Sequence, residues 1–191
     1  MSQADSEYLV LRQTITTRGT VRMAIVPLTI IGWSALTLVL TLFSQLPVGS
    51  LLSLAVLAAG FETVHALHVG VERIGRYLQV YYEERGSTNE VAPRWETTAM
   101  SVGPTLPGGG VDPLFSALFV SAITLNLIPM VLPGVTVVEG AVIGALHVAL
   151  AGRILRARSA AGKQRAVELD RYRRLRLGER DREQHGSLRA E

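Results

Sequence analysis

Glu62, His65, His68, Glu72 and Arg76 descend one stripe of a segment that is otherwise apolar. At about 100° per residue, these five and Arg73 share an arc of roughly 140°, and Val64, Leu67, Val71, Ile74 and Leu78 occupy the opposite side. Carboxylates and imidazoles at one-turn steps have four chemical uses. A Glu–His contact can lock one helix to another. Glu62-x-x-His65 matches the i, i+3 element of di-iron carboxylate bundles. That architecture wants the element twice with further acids, so at most Glu62, His65 and His147 would hold one transition metal. His65 or His68, facing His147, has the minimum set for the axial ligands of haem b. Finally, Glu62, His65, His68 and Glu72 could relay a proton, since imidazole titrates near neutral pH. The structural contact is favoured, because most intramembrane ionisable groups pair with one another.

The elements that carry the stripe are long apolar blocks. No Asp, Glu, Lys or Arg occurs between Arg22 and Glu62, and Pro47 and Gly49 divide that stretch with a turn. Further charge-free blocks run over 113–138 and 140–152. Crossing a hydrocarbon core of about 30 Å takes about 20 apolar residues. Spans are therefore expected near 23–46, 49–71, 114–132 and 135–153. The fold class expected is all-α, an integral membrane antiparallel four-helix bundle with its second and fourth helices extended beyond the membrane. Five segments follow: an arm over 1–22, a hairpin over 23–85, a Pro/Gly-rich loop over 86–113, a second hairpin over 114–158, and a basic tail over 159–191.

The turns near Pro47 and Pro133-Gly134 contain no Lys or Arg, and every basic residue lies before the first span, between the second and third, or from Arg153 at the end of the fourth onward. The positive-inside rule then makes both termini cytoplasmic. Lys163 is the only lysine against a preponderance of arginine, which fits a GC-rich bacterial genome and so a bacterial inner membrane.

Depth follows from register. Glu62 lies about 20 Å and His65 about 24 Å from the outer turn, and His147 on the fourth span lies about 18 Å in. Glu139 and Asn126 are both shallow. An inner polar layer of Glu62, His65 and His147 is expected, with an outer one of Asn126 and Glu139. Glu72 and Arg76 should reach the cytoplasmic surface, with His68 just inside it. Gly140 and Gly144 start a run of small residues that marks a helix-packing face. Trp95 is expected to dock on the bilayer or the bundle, Asp112 and Pro113 to open the third span as N-cap and N1, and residues 185–191 to lack structure.

The chain has no cysteine, which excludes disulfides, thiolate sites and thiol lipidation. Nucleotide, zinc-protease and nucleophile-elbow motifs are missing, so the sequence leans against an enzyme. The net charge is +3, concentrated after Gly152. Beside a membrane such a tail attracts anionic lipid, and with Tyr172 as its one aromatic it is a poor nucleic-acid platform. The expected role is a non-enzymatic subunit or scaffold of a membrane assembly, with a homo- or hetero-oligomeric partner. A haem- or metal-binding redox or sensor subunit and an oligomeric proton or ion conduit are the alternatives.

Overall fold

Three apolar stretches of this chain fold into helices longer than a bilayer is thick. The computed structural model describes residues 3–43, 48–84, 95–102, 113–128 and 135–187, and among them it contains helices and turns and no strand. Helix α1 is Gln3–Phe43, α2 is Gly49–Leu78, α3 is Trp95–Val102, α4 is Pro113–Leu125 and α5 is Val137–Ser187. A π-helical turn, Gln79–Glu83, prolongs α2. By length and composition α1, α2 with its π turn, and α5 over Val137–Ala160 can each cross a membrane.

The segment expected to make the third span departs from this. Helix α4 has 13 residues, about 20 Å of rise, and passes into turns at Asn126. Such a length falls short of the ~30 Å core. Pro113 opens the helix as expected of N1, and Asp112 lies outside the described residues.

Helices run on through the segments at both ends of the chain. Helix α1 takes in the residues read as an arm and continues unbroken for 41 residues through Pro27. Thr14, Thr16 and Thr20 each donate a hydroxyl to the carbonyl four residues earlier, so these side chains are satisfied within the helix. The tail is likewise one piece with the last apolar segment. Helix α5 spans 51 residues and takes in His185 to Ser187. In the middle loop, 95–102 is a helix.

Contacts fix the directions. From α1 to α2 they pair Leu40 with Gly49, Thr37 with Ser53, Thr29 with Gly60 and Arg22 with His68, so these helices are antiparallel. From α2 to α5 they pair Glu62 with Arg153, Arg76 with Glu168 and Glu84 with Arg173, so these run parallel. Helix α4 opposes both, with Phe115 near Arg22 and Asn126 at Ser50. One end of the molecule therefore gathers the end of α1 with the start of α2 and the end of α4 with the start of α5 (the hairpin end), and the other gathers most of the ion pairs and the two ends of the described chain (the charged end).

The buried face of α2 recurs at helical spacing: Ser53, Leu57, Phe61, Val64 and His68. Leu57, Phe61 and Phe119 are almost wholly enclosed, with the Phe61 and Phe119 rings edge to face at 5.7 Å. Leu28, Ile31, Leu38, Leu42, Val142 and Val148 point outward. An apolar exterior around an apolar interior suits lipid, where cohesion comes from packing and hydrogen bonds rather than from water release.

Helices α1 and α2 approach closely at Gly60, where a Cβ would collide with all three side-chain heavy atoms of buried Thr29. Thr29 is β-branched and held at χ1, so it cannot swing away. Gly60→Ala should cost about 1–3 kcal/mol by forcing α1 from α2. Thermal unfolding in detergent micelles measures it, and an unchanged midpoint would mean the helices slide freely.

Candidate functional site

The polar residues gather at two levels, separated by apolar packing. At the hairpin end Asn126, which is fully buried, joins four helices. Trp33 Nε1 of α1 donates to its Oδ1 at 3.0 Å. Its Nδ2 donates to the Ser50 carbonyl of α2 at 2.8 Å and to Nε2 of His147 on α5 at 2.9 Å. Indole can only donate and a carbonyl can only accept, so the amide has one possible orientation. His147 Nδ1 lies 2.8 Å from the Ile143 carbonyl, which places the ring proton on Nδ1 and leaves Nε2 as acceptor. Every partner is used.

This arrangement differs from the layers expected from register. His147 meets Asn126, and the α5 residue that meets Glu62 is Arg153, six residues on and so about 9 Å further along the helix. Counting both helices from their turns missed the offset between them. Glu139 does not pair with Asn126 either. Its carboxylate accepts from the Thr136 backbone N–H and hydroxyl, while Thr136 Oγ1 accepts from Glu139 N–H. Thr136-x-x-Glu139 is a capping box, legible in the sequence as a helix start.

Toward the charged end Arg22 of α1 reaches His68 of α2 at 2.8 Å on Nδ1. Guanidinium only donates, so Nδ1 accepts and Nε2 carries the proton, facing Glu72 at 3.5 Å. Glu72 also pairs with Arg76, whose other terminal nitrogen pairs with Glu168 of α5. Gln164 donates to the same Glu168 carboxylate at 2.9 Å, and Arg73 lies 3.4 Å from it. Burial pushes the Glu168 carboxyl up, but hydrogen bonds from Gln164 and Arg76, with the charges of Arg76 and Arg73, outweigh it and hold it below the usual value.

Burial along the stripe is the reverse of that expected. Arg76 is only 1% exposed, the most enclosed charge among the described residues, because α5 continues beside α2 and covers it. Glu62, expected in the inner polar layer, is half-exposed in its 3.0 Å pair with Arg153. His65 stacks on Phe61 at 5.8 Å. Glu62, His65 and His147 do not converge, and no group of three or more His, Asp or Glu among the described residues is placed to hold a metal. An axial ligand needs a free imidazole nitrogen, and both of His147 are engaged.

Sequence reasoning missed a clasp beyond the stripe. The π turn swings Glu83 inward, where its two oxygens accept the N–H groups of Glu96 and Thr97 and the Thr97 hydroxyl, each at 2.7 Å. A carboxylate there satisfies the open donors at the start of α3 and suits the helix dipole. Glu96 in turn takes Arg12 of α1 at 2.8 Å. Burial pushes the Glu96 carboxyl up; Arg12 pulls it back and Glu83 adds to the rise, for a net upward shift. Trp95 does not dock on the other helices: it is 63% exposed, and the residue beside it anchors α3 instead.

All five tyrosines of the chain meet here. Tyr77 contacts Tyr81, Tyr82 and Tyr172, Tyr82 contacts Tyr8, and Tyr77 donates to Glu7. Glu84–Arg173, with the guanidinium held more basic by its hydrogen bonds to that carboxylate, and an Arg176 bond to the Val80 carbonyl extend the join to α5. No sequence signal pointed to the set, because its members are distant in the chain.

Gly144, expected at a packing face, has no heavy atom within 4 Å of where a Cβ would stand. Close approach occurs at Gly60 instead, and Gly140 is partly exposed.

The fold and these layers define an all-helical protein whose three long apolar helices are compatible with a membrane. Comparison with protein-family models, with curated proteins and with solved structures found no match for this chain.

Proposed function

We propose that this chain is a non-enzymatic, multi-pass scaffold subunit of a membrane assembly, set in a bacterial plasma membrane with both termini cytoplasmic. One observation carries the reading. Helix α5 passes without a break from its apolar segment into a long charged segment, clasped to α2 by Arg76–Glu168 and Glu84–Arg173. The membrane-length helices and the charged helices thus form one continuous body, suited to hold a partner at a set distance from the bilayer. Alternating helix directions, with α4 taken as the third of four crossings, support termini on one side. The charged residues collect there, as the positive-inside rule requires of the cytoplasmic side. Arg156 and Arg158 are exposed on α5 near the end of its apolar part. Each would attract anionic headgroups by about 1 kcal/mol.

The rival readings draw less support. A haem or metal on His147 would have to displace Asn126, and His65 and His68 are on the far side of the Leu57–Phe61–Phe119 packing. The same packing interrupts a proton path between the two polar levels.

The test is purification from native membranes with lysine-independent cross-linking and mass spectrometry. Stoichiometric partners should be recovered with the full chain and lost when it is cut after Ala160. A lone protein, with no partner recovered by either form, would defeat the scaffold reading.

A further inference from the structure

We propose that two copies of this chain associate in the membrane through the flank formed by α2 and α5, with Glu62–Arg153 of one copy set against the same pair of the other. The inference rests on the scaffold reading and names one of its partners. Glu62 and Arg153 are 3.0 Å apart, yet their side chains remain 47% and 43% exposed. They lie on two helices of membrane-spanning length, about 9 Å from the Arg22–His68 level toward the middle. Ionisable groups at such depth nearly always face protein or a water-filled cavity, not lipid. Within one copy the Phe61 ring lies under the Arg153 guanidinium, 6.0 Å from its centroid, and nearly half of each side chain of the pair is left uncovered.

The chemistry of the patch selects its occupant. It carries one acid and one base, so its net charge is zero and it offers an anionic headgroup no advantage. A two-fold rotation brings Glu62 of one copy to Arg153 of the second, and a patch with both signs is complementary to itself. The surrounding α2 residues Ala55, Ala59, Thr63 and Ala66 are exposed and small, as is Ala149 one turn before Arg153 on α5. They would let two backbones approach closely enough for the four charges to meet.

Because the chain has no cysteine, single-cysteine variants report contacts without background. Ala59→Cys and Thr63→Cys, treated in native membranes with a short bis-maleimide, should give a band at twice the chain mass. Ile31→Cys, on the exposed face of α1, should not. Glu62→Arg in the Ala59→Cys background should cut the cross-linked fraction by about tenfold, and adding Arg153→Glu should restore it. If Glu62→Arg fails to accumulate, Thr63→Phe, which leaves the ion pair intact, should block cross-linking at Ala59→Cys through bulk alone. Absence of the doubled band at both positions in folded protein would overturn the proposal. So would a band indifferent to Glu62→Arg, or an adduct with a different protein. Partners recovered on the charged helices without the doubled band would leave the scaffold reading standing; the doubled band with no other partner would do the reverse.

Discussion

Asn126→Leu should lower stability by about 3 kcal/mol, the largest loss expected from any single neutral side chain here. Leucine keeps the volume but leaves the partly buried Trp33 Nε1 and the wholly enclosed His147 Nε2 with no partner. Each orphaned buried group costs about 1–3 kcal/mol. The lower part of the summed range applies, since in a membrane the separated helices also find substitute partners. His147→Phe should cost less, because Asn126 keeps Trp33 and Ser50. Reversible unfolding in mixed micelles, followed by Trp33 emission, measures both. If Asn126→Leu changed stability by no more than the surface substitution Val148→Ala, the node would not be what ties the four helices.

Arg76→Ala should be at least as damaging, at about 3–5 kcal/mol, because it strands two carboxylates beside each other. Glu72 and Glu168 would lose the shared cation that now separates α2 from α5 by one guanidinium. The pH dependence distinguishes this from simple loss of packing. In the intact protein Glu168 is held below its ordinary value of 4.5, so its contribution is present above that value. It is lost as the pH falls through the lower, folded value, and α5 should loosen from α2 in that range. In Arg76→Ala, protonating one carboxylate relieves repulsion, so acidification should narrow the gap to the wild type. Denaturation midpoints across pH 4.5 and below decide it, and parallel curves for the two proteins would sink the account. Glu96 acts in the opposite sense. Its contribution is fully present below the ordinary value of 4.5 and is lost as the pH rises through the raised, folded value.

Much of the architecture is written locally. The charge-free blocks, Pro113 at a helix start and the Thr136-x-x-Glu139 box place helices α1, α2, α4 and α5 without reference to any contact. Helix ends were harder to place where polarity and helicity part company. Helix α1 reaches back to Gln3 through a polar, threonine-rich stretch, and α5 continues to Ser187 across a change of composition that reads as a boundary.

The stripe from Glu62 to Arg76 was also legible, but its α5 partners were not: Arg153 and Glu168 meet it where His147 was expected. Which member meets which was not. A shift of six residues between parallel helices exchanges His147 for Arg153 at the Glu62 level and turns an expected metal or haem set into a hydrogen-bonded node and an ion pair. Burial followed the same logic, since Arg76 is enclosed by a neighbouring helix whose continuation beyond its apolar segment leaves no trace in α2 itself.

By itself, then, the sequence determined an all-helical chain with apolar segments of membrane length, and which face of α2 is polar. Those properties come from residue type and a periodicity of one turn, and both are local. Only the tertiary structure decided the partners: Asn126 with His147, Arg76 with Glu168, Glu83 with the start of α3. The physical reason is that axial register between helices is set by side-chain fit, as at Gly60 and Thr29, and a step of one turn there reassigns every polar contact along the bundle.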